Sequence, residues 1–156
     1  MKYLLVFLFS FGLSAAVFGQ YSAFRELYLI ELEKEKCLEL FEITKEKKDP
    51  LMMAYHGASL AMLADFGFNP VKKMEQFNTG SELITKAIEL DPKNIEIRLI
   101  RLSIQLEAPD FLGFNCCVDE DLSAVKNALK NNWLSSDSNY KMKIMNFFEH
   151  RGISLD

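Results

Sequence analysis

Apolar residues recur at helical spacing along most of this chain, and short groups of turn residues separate the apolar stretches. The sequence has neither a clear alternating strand pattern nor an Asn-Gly hairpin turn. The pattern therefore predicts an all-α protein whose helices are joined by short turns. Such an arrangement suits antiparallel helical hairpins stacked side by side.

Caps, prolines and glycines divide this pattern into about six helices. The predicted segments are residues 22–44, 50–66, 70–90, 95–106, 119–133 and 138–151. Asp49-Pro50 and Asn94 are predicted to begin the second and fourth helices. The third segment allows two interpretations, since Thr79-Gly80-Ser81-Glu82 has capping-box spacing and favours a break near residues 78–80. Residues 70–79 then form either a short helix of their own or a long first turn.

The fourth helix is apolar on most of its circumference, which predicts that it lies buried between neighbouring helices. Its polar row consists of Arg98, Arg101 and Gln105, which fall at positions i, i+3 and i+7 on one face. Two guanidinium groups and an amide in line could bind a carboxylate, such as a peptide C-terminus. The alternative is that the arginines pair with this chain's own carboxylates, namely Glu82, Glu89 or those of residues 119–121.

Four residues around the end of the third helix resemble the second half of a tetratricopeptide repeat. Gly80, Ile84, Ala87 and Pro92 match the small, bulky, alanine and proline positions of that repeat. The resemblance implies a short, degenerate array of helical hairpins that binds a protein or peptide. The first half of the repeat departs from the family pattern, so an inserted loop over residues 67–79 is expected.

The middle third of the chain also resembles a group of small exported proteins of Bacteroidota. The shared core consists of NPVKKMEQFNTG (69–80), AIELDPKNIEIR (87–98), RLSIQ (101–105) and PDFLG (109–113). This resemblance implies a helical fold and export, and it implies no particular activity.

Residues 1–19 have the features of a cleaved signal peptide. Lys2 precedes an apolar run over residues 3–18 that is short for a membrane span, and Val17-Phe18-Gly19 fits a signal-peptidase site. Gln20 stands where a lipoprotein would carry cysteine, which disfavours a lipid anchor. We therefore expect one mature domain, residues 20–156, in the periplasm or outside the cell.

The charge of the chain argues against nucleic acid and anionic lipid as partners. Residues 1–19 include one basic and no acidic residue, so their removal changes the net charge from −4 to −5. Nucleic-acid binding needs a dense positive surface, and the chain has no long basic run. The expectation of a protein or peptide partner comes from the tetratricopeptide resemblance and not from the charge.

Three cysteines leave several redox states open in an exported protein. Cys116 and Cys117 could close a vicinal ring, or one of them could pair with Cys37. The favoured interpretation is that all three are small, reduced, buried side chains. Their spacing matches neither a metal site nor a CxxC redox motif.

The loop after the fourth helix adds aromatic candidates for a binding surface. Phe111 and Phe114 could form an aromatic rim with Lys72, Lys73 and Phe77, or they could close the core beneath the loop.

No residues stand in the spacing of a known catalytic or metal-binding motif. His56 and His150 form no HExxH pattern, and the chain has no GxSxG motif or glycine-rich phosphate loop. We expect a non-enzymatic scaffold or adaptor without a cofactor. The alternative is a small-molecule or lipid carrier with an apolar pocket between its helices.

Overall fold

Helices form all the regular structure in the computed structural model, which describes residues 23–28 and 33–155. The helices are α1 (residues 23–28), α2 (Lys34–Thr44), α3 (Pro50–Leu63), α4 (Pro70–Leu90), α5 (Ile95–Glu107), α6 (Val118–Lys130) and α7 (Ser138–Glu149). Single 3-10 turns follow α3 at Ala64–Phe66 and α5 at Asp110–Leu112. The all-α prediction is confirmed. The predicted signal peptide lies outside the described residues, and no helix within them is long and apolar enough to cross a membrane.

Side-chain caps begin four of these helices. Asp49, Asn69 and Asn94 each accept hydrogen bonds from two backbone N–H groups in the first turn that follows, and Asp137 accepts one, from Tyr140. These bonds satisfy donors that have no partner within the helix. The predicted starts at Asp49-Pro50 and Asn94 are confirmed. The last helix is capped by Asp137, directly before its predicted start at residue 138.

The prediction of one continuous helix over residues 22–44 is wrong. Glu33 has an extended backbone (φ −108°, ψ 128°) and precedes the start of α2 at Lys34. The two helices pack against different neighbours. Tyr28 of α1 donates a hydrogen bond to the Ile100 carbonyl on α5, whereas Thr44 of α2 is hydrogen-bonded to His56 on α3.

The predicted break at residues 78–80 is also wrong, because α4 is one helix of 21 residues. Thr79 Oγ1 donates to the Glu75 carbonyl and Ser81 Oγ to the Asn78 carbonyl, both at 2.9 Å. The hydroxyl groups therefore bond back along the helix and cap nothing. The inserted loop expected over residues 67–79 is reduced to residues 67–69.

Gly80 lies inside α4 because α3 crosses it there. A Cβ atom on Gly57 would come within 2.5 Å of the Gly80 carbonyl oxygen, and one on Gly80 within 2.8 Å of the Ala61 nitrogen. The glycine at 57 also faces Ile84, so later residues of α3 meet earlier residues of α4 and the two helices are antiparallel. The small residue that the repeat pattern has at position 80 therefore lies at a close helix crossing. A tetratricopeptide-like stacking of further hairpins stays a prediction.

α5 lies between the two parts of the hydrophobic core, as its apolar circumference predicts. Ile97, Ile100 and Ile104 pack with α3 and α4, whereas Leu99 and Leu102 pack with α6 and α7. Side chains on opposite sides of one helix thus join both parts. The polar row therefore lies on a helix that has core side chains on both of its other sides.

Candidate functional site

The arginines of the predicted binding row point to α6. Arg101 Nε donates to Asp121 Oδ2 at 2.6 Å, and Arg101 Nη2 donates to Asp121 Oδ1 at 2.8 Å. Arg98 Nη1 donates to Glu120 Oε1 at 2.8 Å and to Asp121 Oδ1 at 2.9 Å, while its Nε donates to the Pro92 carbonyl at 2.9 Å. We call Arg98, Arg101, Glu120 and Asp121 the α5–α6 ion-pair cluster.

This cluster satisfies its charges within the chain. Asp121 is fully buried in the first turn of α6, where a carboxylate also complements the helix dipole. Hydrogen bonding to Asp121 raises the pKa of Arg101, and Arg98 lowers the pKa of Glu120. The structure therefore supports the alternative of internal pairing, with a partner among residues 119–121. The cluster joins two helices instead of presenting two free guanidinium groups.

Gln105, the third residue of the row, is buried away from solvent. Its side chain is only 4% exposed, and neither amide atom has a hydrogen-bond partner among the described residues. An unpaired buried polar group typically costs about 1–3 kcal/mol. The position of Gln105 separates it from any surface on which a peptide could lie.

The two predicted loop aromatics occupy different environments. Phe111, on the 3-10 turn after α5, is 78% exposed. Phe114 packs edge-to-face on the buried Phe77 of α4, with ring centroids 6.0 Å apart. Gly113, at φ +67°, turns the chain between them. Phe114 thus closes the core, as one interpretation predicts, while Phe111 is left on the surface.

The outer face of α4 is a surface that the sequence analysis did not identify. Val71 and Met74 are exposed side by side on its first turns, and Phe68 is fully exposed in the turn before them. The same face continues into an open groove of about 310 Å³. That groove is lined by Ser81, Glu82, Thr85, Lys86, Glu89 and Phe114. Positions 71, 74, 78, 81 and 85 follow helical spacing, so they share one face only when residues 70–90 form a single continuous helix.

A second polar cluster, also missed, fixes α1 to the rest of the protein. Arg25 Nε donates to Glu96 Oε1 at 2.9 Å, and Arg25 Nη1 donates to Asp137 Oδ2 at 2.9 Å. Tyr55 donates to the same Glu96 oxygen at 2.5 Å, and burial raises the pKa of Tyr55. The guanidinium also lies over the Tyr140 ring. These contacts connect elements distant in sequence, which leaves no local pattern to detect.

His56 lies in a packed setting on α3. Its Nδ1 is 3.1 Å from Thr44 Oγ1, and its ring stacks on Phe41 at 4.7 Å between centroids. Burial lowers the pKa of His56, which favours the neutral imidazole. With these contacts, His56 packs between α2 and α3.

The cysteines divide into one buried residue and one surface pair. Cys37 is buried on α2, and burial raises its pKa to about 11. Cys116 is exposed and Cys117 half-buried where the chain enters α6. The interpretation of all three as buried is wrong for Cys116, because the segment before α6 lies on the surface. Within the described part of the chain, no group of three or more His, Cys, Asp or Glu residues is arranged to hold a metal ion.

Comparison of the chain with protein-family models, with curated proteins and with solved structures yields no significant match. The tetratricopeptide and Bacteroidota resemblances therefore rest on their sequence motifs alone and stay predictions.

Proposed function

We propose that this protein is an exported, non-enzymatic interaction domain of the cell envelope, which binds a protein or peptide partner through the outer face of α4. The observation that carries the proposal is the exposure of Phe68, Val71 and Met74 together at the start of that helix. Full burial of a side chain of this size is worth about 1.5–3 kcal/mol. Because the three side chains are exposed in the folded chain, a partner that covers them would gain this free energy of burial on binding.

The groove beyond these residues favours a particular partner chemistry. Glu82, Lys86 and Glu89 line it with two carboxylates and one ammonium group, and the Phe114 ring adds an apolar wall. A peptide segment with apolar side chains followed by a basic side chain would complement both parts of the face. The arginines of α5 are already paired with α6, so we place the partner on α4 instead of α5.

Binding measurements on a surface variant test this proposal. The partner is captured from an envelope extract, identified and purified, and its affinity is then measured by calorimetry. Val71→Asp should weaken binding at least tenfold, about 1.4 kcal/mol, because a carboxylate resists burial against an apolar partner. Met142→Asp on α7 is the matched control, since Met142 is 57% exposed and Val71 65%. Equal affinities of wild type and Val71→Asp, or a capture that does not survive washing, would refute the α4 site.

The carrier function predicted as the alternative has no specific observation in its favour. The groove at Phe114 and a second one of about 530 Å³ beside Arg98 are both open to solvent. Native mass spectrometry after gentle purification would reveal a bound small molecule.

A further inference from the structure

The adjacent cysteines before α6 form a reactive arrangement that the proposed binding function does not use. Their Sγ atoms are 2.6 Å apart, between the covalent sulfur–sulfur bond length of about 2.05 Å and the separation of unbonded sulfur atoms. Cys116 is exposed to solvent, and Cys117 is half-buried behind it. One thiol is therefore open to attack by a reagent while the second is already in contact with the first.

The exposed thiol of the pair is accessible to a disulfide reagent, and the thiolate is the nucleophile in disulfide exchange. The hydrogen bond to Cys116 raises the pKa of Cys117, and the Arg101 guanidinium, which interacts electrostatically with both sulfur atoms, opposes that rise. The third cysteine, Cys37, lies in an apolar environment that keeps its thiol protonated and shielded. The exposed Cys116 thiol should therefore react with a disulfide much faster than the buried Cys37 thiol.

We propose that Cys116 and Cys117 form a thiol–disulfide exchange site, at which a disulfide-containing oxidant converts the two thiols into an intramolecular disulfide. The Cys116 thiolate attacks the oxidant R–S–S–R, forms a mixed disulfide and releases one R–SH after proton uptake. The Cys117 thiolate then attacks the Cys116 sulfur, closes the Cys116–Cys117 bond and releases the second R–SH. Two electrons pass from the protein to the oxidant, and two protein thiol protons end on the released thiols.

Covalent geometry indicates that this bond would be reversible. The Cα atoms of adjacent residues are about 3.8 Å apart across a trans peptide, whereas they are usually about 4.4–6.8 Å apart in disulfides. Disulfides outside the usual range are more easily reduced and tend to be labile instead of structural. The pair is therefore expected to cycle with the redox state of its compartment and not to act as a permanent crosslink.

Intact-mass measurement with oxidised glutathione as the oxidant tests the site. The reduced, folded protein is incubated with the oxidant, denatured, treated with iodoacetamide and weighed. Wild type should lose the mass of two hydrogens and take up one alkyl group, on Cys37. Cys37→Ser should lose the same mass and take up none. Peptide mapping should place the bond between the adjacent residues, and dithiothreitol should restore both thiols.

Cys117→Ser provides the matched comparison, because it keeps the exposed thiol and removes the resolving one. It should accumulate a stable glutathione adduct on Cys116 and show no loss of two hydrogens. Stable adducts or disulfide-linked dimers in wild type, without internal bond formation, would overturn the proposal. A peptide map that shows Cys37 in the bond would overturn it too, and this result does not depend on whether the serine variant folds.

Discussion

Asp121 is the residue whose removal should harm the α5–α6 packing most. Its carboxylate is fully buried and holds Arg101 through two hydrogen bonds of 2.6 and 2.8 Å. Asp121→Ala leaves the buried guanidinium without its carboxylate, whereas Arg98 keeps Glu120 and the Pro92 carbonyl. Loss of one partner of a buried ion pair costs about 3–5 kcal/mol. We expect the lower end, about 3 kcal/mol, because only one of the two arginines loses all its described carboxylate partners.

Urea unfolding followed by circular dichroism measures this effect. For a domain of this size, an m-value of about 2 kcal/mol/M converts 3 kcal/mol into a midpoint decrease of about 1.5 M. Such a loss is large beside the usual stability of about 5–15 kcal/mol. Asp119→Asn is the control, since this neighbouring carboxylate is exposed and should leave the midpoint unchanged.

A double variant separates the effect of losing the ion pair from the effect of losing side-chain packing. Arg101→Met with Asp121→Leu removes both charges and retains apolar volume, so it should recover much of the stability lost in Asp121→Ala. An Asp121→Ala midpoint equal to that of wild type would contradict the assignment of a buried structural ion pair. A loss of similar size in Asp119→Asn would contradict it as well.

Three further perturbations address the helix crossing, the histidine and α1. Gly57→Ala should lower the free energy of unfolding by about 1–3 kcal/mol because its Cβ would meet backbone, whereas Gly67→Ala meets mainly the flexible Lys73 side chain and should be nearly neutral in the same urea assay. Burial lowers the pKa of His56 in the folded protein, so near and below about pH 6.5 the unfolded chain binds more protons than the folded one. The free energy of unfolding should therefore decrease as pH falls through that value. The same pH series on His56→Gln should show a smaller decrease in the free energy of unfolding. Arg25→Ala should release α1 and speed chymotrypsin cleavage after Phe24 and Tyr28; an unchanged cleavage rate would show that the polar contacts do not hold this segment.

The helix signals in the sequence proved reliable where the cause was local. Asp49 and Asn94 begin their helices as predicted, because an N-cap needs only a side-chain oxygen and the next two or three N–H groups. The capping-box pattern at Thr79–Glu82 failed because α3 packs across Gly80 and keeps the helix continuous. At that position the packing of α3 against α4 outweighs the local preference for a helix start.

The candidate site shows the same division. The sequence placed Arg98 and Arg101 on one face of α5, and that placement follows from helical periodicity. It left open whether they face a ligand or a carboxylate of their own chain. In the structure Arg101 is hydrogen-bonded to Asp121, 20 residues further along the chain. This bond forms only when α6 packs against α5, so the sequence pattern of α5 alone could not reveal it.

The sequence by itself determined the all-α class, most helix boundaries and the burial of α5, since these depend on spacing and on contacts within a few residues. The tertiary structure alone decided which polar groups are paired, which apolar side chains stay in water and which thiols meet solvent. Pairing and exposure depend on the packing of segments distant in the chain. For this reason Arg101 is held internally, while Phe68 and Val71 remain on the surface.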